Sequence, residues 1–144
     1  MTWTYEQLTG KLRDPEGNVV GIGYSGHGEY KNRPEFEHLV SHGPIPAGRY
    51  RVVGPPTMTK QHGPFVLRLD PDTPTRERIV AMGRDPDSFL MHGDSIAHAG
   101  TASLGCIIQD RGTRERVWKD NPFDPDFEVV SGITYPDIDG EISV

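Results

Sequence analysis

The chain has 144 residues, 34% of them aliphatic or aromatic, which is the length of one ordinary domain able to bury a core without crosslinks. A net charge of −6 without any Lys/Arg stripe argues against nucleic acid and anionic membrane surfaces as partners. No apolar run approaches the roughly 20 residues that span a bilayer, and the single cysteine excludes an internal disulfide. The start, Met1-Thr2-Trp3-Thr4-Tyr5-Glu6, has neither a basic nor an apolar leader region, so no ordinary secretory signal is expected.

With 17 glycines and 13 prolines scattered rather than periodic, many turns between short strands are expected. Residues 3–12, rich in Thr, Tyr and Trp, read as a strand. The turn Asp14-Pro15-Glu16-Gly17-Asn18 leads back into a second strand over 19–24, making a hairpin. Residues 25–32 form a polar, Gly-rich loop containing His27, and 34–40 read as a short helix. Gly43-Pro44-Ile45-Pro46-Ala47-Gly48 is a rigid turn before a strand over 49–53. Alternation of apolar and polar residues predicts a strand over 65–69, and short apolar runs predict strands over 79–82 and 89–91. Residues 112–119 are the best helix candidate, 127–130 a late strand, and the acidic tail from residue 134 is expected to be loosely held. The pattern predicts a mainly β fold with one or two short helices, as a single domain over residues 1–144.

The chemistry concentrates in Phe89-Leu90-Met91-His92-Gly93-Asp94 and Thr101-Ala102-Ser103-Leu104-Gly105-Cys106-Ile107-Ile108. One apolar segment delivers His92 at its end, and a Ser-x-Gly-Cys turn leads into another. A thiol attacks as the thiolate, and a neighbouring imidazole can hold it in that form. Gly105 lets a substrate carbonyl come close to the backbone, where the amides of Gly105 and Cys106 face a developing oxyanion. The blander readings are a buried small Cys106 and a satisfied core histidine at 92. His27 and His98, the latter between the two motifs, are candidates for the cleft border, whereas His38, His42 and His62 read as surface residues.

His92-Gly93 followed by Ser103-Leu104-Gly105-Cys106-Ile107 resembles the signature of L,D-transpeptidase (YkuD-type) catalytic domains. Upstream, Tyr24-Ser25-Gly26-His27-Gly28, Asn32 and Gly43-Pro44-Ile45-Pro46-Ala47-Gly48-Arg49-Tyr50-Arg51 resemble a narrower branch, the short L,D-transpeptidase-like effectors exported by type VI secretion. The resemblance spans residues 24–130. It implies a β-sandwich or partly open barrel, and a cysteine enzyme acting on peptidoglycan stem peptides without a cofactor. It implies Cys106 as nucleophile, His92 as base, the Gly93 carbonyl orienting the imidazole and Gly105 lending an oxyanion amide, with Ser103, His27, His98 and Arg114 towards substrate. Periplasmic action, export by a route other than an ordinary signal, a secretion apparatus and a cognate immunity protein follow from the same resemblance. The chain departs from many members at Leu104 and Ile108, where His or Arg and Arg or Asn are usual. Arg114 has an equally good reading as a solvated helix charge.

Three alternatives stay open on the residues alone. His92, Asp94, His98 and Cys106 are chemically plausible zinc ligands, although their spacing fits no helical pattern. The chain can also be a non-catalytic cell-wall-binding or phage-tail β module, or a cysteine hydrolase of another amide.

Overall fold

The computed structural model describes residues 1–133; the tail expected to be loosely held from residue 134 lies outside the described residues. The fold is mainly β. Among the described residues nine strands, β1 (Trp3–Glu6), β2 (Lys11–Arg13), β3 (Val19–Ile22), β4 (Tyr24–Ser25), β5 (Gly48–Thr59), β6 (Gly63–Pro71), β7 (Leu90–His92), β8 (Ile107–Ile108) and β9 (Asp126–Val130), form one sheet, accompanied by two α-helices, α1 (Thr73–Ala81) and α2 (Arg111–Asp120). The sheet order is β3-β2-β1-β9-β5-β6-β7-β8-β4. Its two edges, β3 and β4, are consecutive in the chain with only Gly23 between them. The sheet must therefore curl until its edges meet at that residue, which yields an open barrel rather than a closed one.

Alternation along the strands fills the interior. Trp3, Tyr5, Leu12, Leu67, Met91 and Ile107 are fully buried, joined by Phe89, Phe127 and Val129. Each such side chain stabilises the fold by roughly 1.5–3 kcal/mol relative to exposure.

The structure differs from the sequence-based expectation at three elements. The strand expected over 3–12 is two strands, because the backbone reverses at Gly10 (φ +75°), whose N–H donates to the Glu6 carbonyl at 2.9 Å. The segment 79–82, expected as a strand, is the end of α1. Asp72 caps that helix by accepting from the Thr75 N–H at 3.1 Å, and Pro74 occupies its first turn. These start signals outweigh the short apolar run Ile79-Val80-Ala81-Met82. The helix expected over 34–40 is one 3₁₀ turn, Pro34–Phe36. Helix α2 stands where expected, capped by Asp110, which accepts from the Thr113 N–H at 2.7 Å. Among the described residues no helix is long and apolar enough to cross a membrane.

Candidate active site

Strands β7 and β8 run parallel, with Met91 beside Ile107 and His92 beside Ile108. Met91 and Ile107 point into the core. By alternation His92 and Cys106, which immediately precedes β8, lie on the opposite face. Both open on one cleft of about 530 Å³, a size suited to a short peptide or small ligand. Leu104 and Gly105 form its wall beside the thiol, and Gln61 and His62 cover it from the β5–β6 turn. Arg84, Asp85, Ser88 and Phe89 close it from the segment after α1.

His92 is 2% exposed. Its Nδ1 lies 2.9 Å from the Gly93 carbonyl oxygen. A carbonyl only accepts, so Nδ1 carries the proton and Nε2 presents its lone pair. Nε2 is buried and has no partner among the described residues. Burial is the largest influence on this ring and holds it below the usual imidazole range; the Gly93 bond opposes that, and His62 and Arg114 add to it. His92 is therefore a neutral imidazole at neutral pH.

The Cys106 thiol donates to the Ser88 carbonyl at 3.6 Å, not to His92. Burial pushes its pKa up to about 11, against smaller opposing effects of the Leu90 backbone and Arg84. The thiolate expected from the pairing of Cys and His is thus not the resting form. Desolvation of both groups favours the neutral thiol and the neutral imidazole.

The turn before Cys106 is held carbonyl by carbonyl. Leu104 O accepts from Arg84 Nη2 at 3.3 Å, Gly105 O from Ser25 Oγ at 3.1 Å and Cys106 O from Ser103 Oγ at 2.6 Å. Gly105 has φ +136°, and a Cβ there would stand 2.3 Å from Arg84 Nη2, so only glycine fits.

Several residues expected towards substrate are used otherwise. Ser103 is fully buried; its Oγ also accepts from the Gly26 N–H at 2.9 Å and the Gly105 N–H at 3.0 Å. Its hydroxyl is consumed in shaping the turn, and it does not line the cleft. The same bond engages the Gly105 amide expected to face the oxyanion, turning it inward. His27 packs edge-on to His42 at 6.2 Å and lies outside the cleft lining. The loop 25–32 supports the Cys106 turn from behind instead of lining the groove. His98 is exposed on the segment between Asp94 and Thr101, again outside the lining.

Arg114, expected towards substrate or as a solvated helix charge, is buried and lies outside the cleft lining. It is 3% exposed, with Nε donating to the Phe65 carbonyl at 3.0 Å and Nη2 to that of Pro64 at 3.2 Å. Nη1 donates to the Gln109 carbonyl. It ties the β5–β6 turn to the end of β8 and packs beneath Gly93, where a Cβ would sit 3.0 Å from Nη1. Asp94 does not orient His92. It accepts from the Tyr24 hydroxyl at 2.6 Å and from the Ser95 and Gly100 amides, pinning the neck of the connecting segment. Among the described residues no three His, Cys, Asp or Glu side chains are grouped to hold a metal ion.

Two cleft residues escaped the sequence reading. Arg84 is 7% exposed, and its Nη1 donates to the Glu37 and Pro44 carbonyls at 2.6 and 2.8 Å. His62, read as a surface residue, stacks on His92 with ring centroids 4.4 Å apart. No local motif marks either one, because each reaches the site from a distant part of the chain.

Residues 21–132 match the Tlde1 domain, rather than the YkuD-type L,D-transpeptidase domain whose signature the Cys106 motif resembles. No curated protein matches the chain. The matched stretch contains both cleft-lining motifs and most of the sheet, so the chain belongs to the Tlde1 domain family, a family of type VI secretion effectors.

Proposed function

We propose that this effector domain is a peptidoglycan-directed cysteine acyltransferase that cleaves a stem-peptide amide through a thioester on Cys106. The observation that carries the reading is the state of His92. Its Nδ1 proton is committed to the Gly93 carbonyl, and its bare Nε2 is buried beside the cleft that also holds Cys106. A buried, unpartnered lone pair is costly unless it has work to do.

In the proposed reaction Cys106 Sγ attacks the amide carbonyl carbon while its proton passes to His92 Nε2. A neutral pair suits this order, since the proton leaves as the S–C bond forms. Collapse of the tetrahedral intermediate breaks the C–N bond, and the leaving amine takes the proton from Nε2. Water then releases an acid, giving L,D-carboxypeptidase activity. An amine acceptor instead gives L,D-transpeptidation or D-amino-acid exchange. With the Gly105 amide turned inward, the Cys106 amide is the remaining local donor to the oxyanion.

Membership of a type VI effector family supports delivery by a secretion apparatus, action in the periplasm of a target cell and antibacterial toxicity restrained by an immunity protein. The test is mass spectrometry of purified muropeptides incubated with the protein. Loss of a terminal residue, or a new cross-link or exchanged D-amino acid, is expected, and Cys106→Ala should abolish it while the circular dichroism spectrum is kept. Turnover by the pure alanine variant would remove Cys106 from the mechanism. The thiol's bond to Ser88 and its raised pKa favour a second reading, a non-catalytic wall-binding module. Unchanged muropeptides that nevertheless pull down the protein would establish that one.

A further inference from the structure

We infer that His62 is a positioning residue for His92, reaching across from the β5–β6 turn to hold the imidazole with Nε2 towards the cleft. The inference rests on the reading of His92 as the base.

Among the described residues the His92 ring has one hydrogen-bond partner, the carbonyl of the next residue in the chain. So local a bond can swing with the residue that supplies it. The ring therefore needs cover from a separate element. His62 supplies it, with centroids 4.4 Å apart and planes tilted by 36°. Three features deliver His62 there. Strands β5 and β6 form a long hairpin, so its turn reaches the end of β7. The His62 N–H donates to Thr59 Oγ1 at 2.8 Å, which sets the turn, and Gly63 continues it at φ +77°. Arg114 then grips the carbonyls of Pro64 and Phe65 and packs beneath Gly93. The hairpin turn and the His92 strand are thereby braced against one guanidinium.

Groups facing His92 come from each packed element. They are His62 from the turn, Arg114 from α2 and Asp94 after β7, with Cys106 before β8 lining the same cleft. His62 and Arg114 oppose a proton on His92, and Asp94 favours one. Of these, His62 alone stacks on the ring. Its removal should admit water to His92, and better solvation favours the protonated ring.

The experiment compares wild type, His62→Ala and His62→Phe by two readouts. One is the NMR titration of the His92 ring, which needs no turnover; the other is kcat and KM on muropeptides. His62→Ala should raise the His92 titration midpoint and lower kcat about tenfold with KM little changed, as expected when a reacting group is displaced but substrate still binds. His62→Phe keeps an aromatic face on His92 and should recover most of kcat. An unmoved His92 titration in His62→Ala, or a phenylalanine variant as slow as the alanine one, would overturn the inference. If wild type turns nothing over, the catalytic reading fails by itself, and the titration still decides whether His62 governs His92.

Discussion

The two stretches flanking the connection from His92 to Cys106 are built in opposite ways. The turn 103–106 has three successive carbonyls bound by buried or partly buried side chains, two from distant segments, Arg84 and Ser25, and one from the turn itself, Ser103. The segment 95–100 is mostly exposed, Ile96 fully so, and its fastening to the rest of the fold is at its neck through Asp94 and Tyr24. Polar residues next to a nucleophile are thus spent on fixing the backbone that carries it, while those on the longer excursion bond within it and to its neck, as in His98 N–H to Ser95 Oγ and Gly100 N–H to Asp94. Nearness to a motif in sequence is a poor guide to contact with substrate, because a rigid turn needs its own polar groups first.

The contrast breaks most visibly at Arg84. Arg84→Met should remove the donors of four carbonyls, on Glu37, Gly43, Pro44 and Leu104. Leaving buried acceptors unpaired should cost about 3 kcal/mol in chemical denaturation, with turnover falling further than the lost folded fraction explains. A denaturation midpoint like that of wild type would show that the turn is held elsewhere.

The protonation state of the fixed turn is the next test. Burial raises the Cys106 pKa to about 11, so the thiol is protonated at neutral pH and loses its proton only as pH climbs towards that value. Iodoacetamide alkylation should be slow at pH 7 and still rising above pH 9. A plateau reached by pH 7 would mean a preformed thiolate, and the proton transfer to His92 would then precede substrate.

The smallest effect is expected on the longer excursion. His98→Ala should leave turnover within about twofold and stability within about 0.5 kcal/mol, as for exposed residues without partners in the site. A large loss of kcat would mean that the segment closes over bound substrate.

Much of the fold was legible because it depends on local chemistry. The Asp14–Asn18 turn, the alternation over 65–69 and the α2 pattern each act over a few residues. Helix α1 is hard to see in the sequence because its apolar residues are few and sit at its end, and its start signals Asp72 and Pro74 carry the information instead. The Cys106 and His92 motifs were visible as a pair, and the strand register puts them on one cleft. The roles of Ser103, His27 and Arg114 were not legible, because a hydroxyl or guanidinium has the same identity whether it meets substrate or a backbone carbonyl. His62 and Arg84 were hidden for a related reason, since their partners lie 30 and 20 residues away in the chain, at His92 and Leu104.

The near-meeting of the sheet's edges has a bearing on the protein's life in solution. A β-rich chain is vulnerable to strand addition wherever a long edge offers unpaired amides and carbonyls. Here one edge strand has four residues and the other two, and Gly23 joins them. A Cβ at Gly23 would fall 1.7 Å from the Ile108 carbonyl oxygen, and one at Gly10 1.8 Å from the Gly23 carbonyl oxygen. The backbone at these two glycines therefore admits no side chain without opening. A larger residue at either glycine should force these strands apart and expose strand edges, so size-exclusion chromatography of such a variant should show more self-association than wild type.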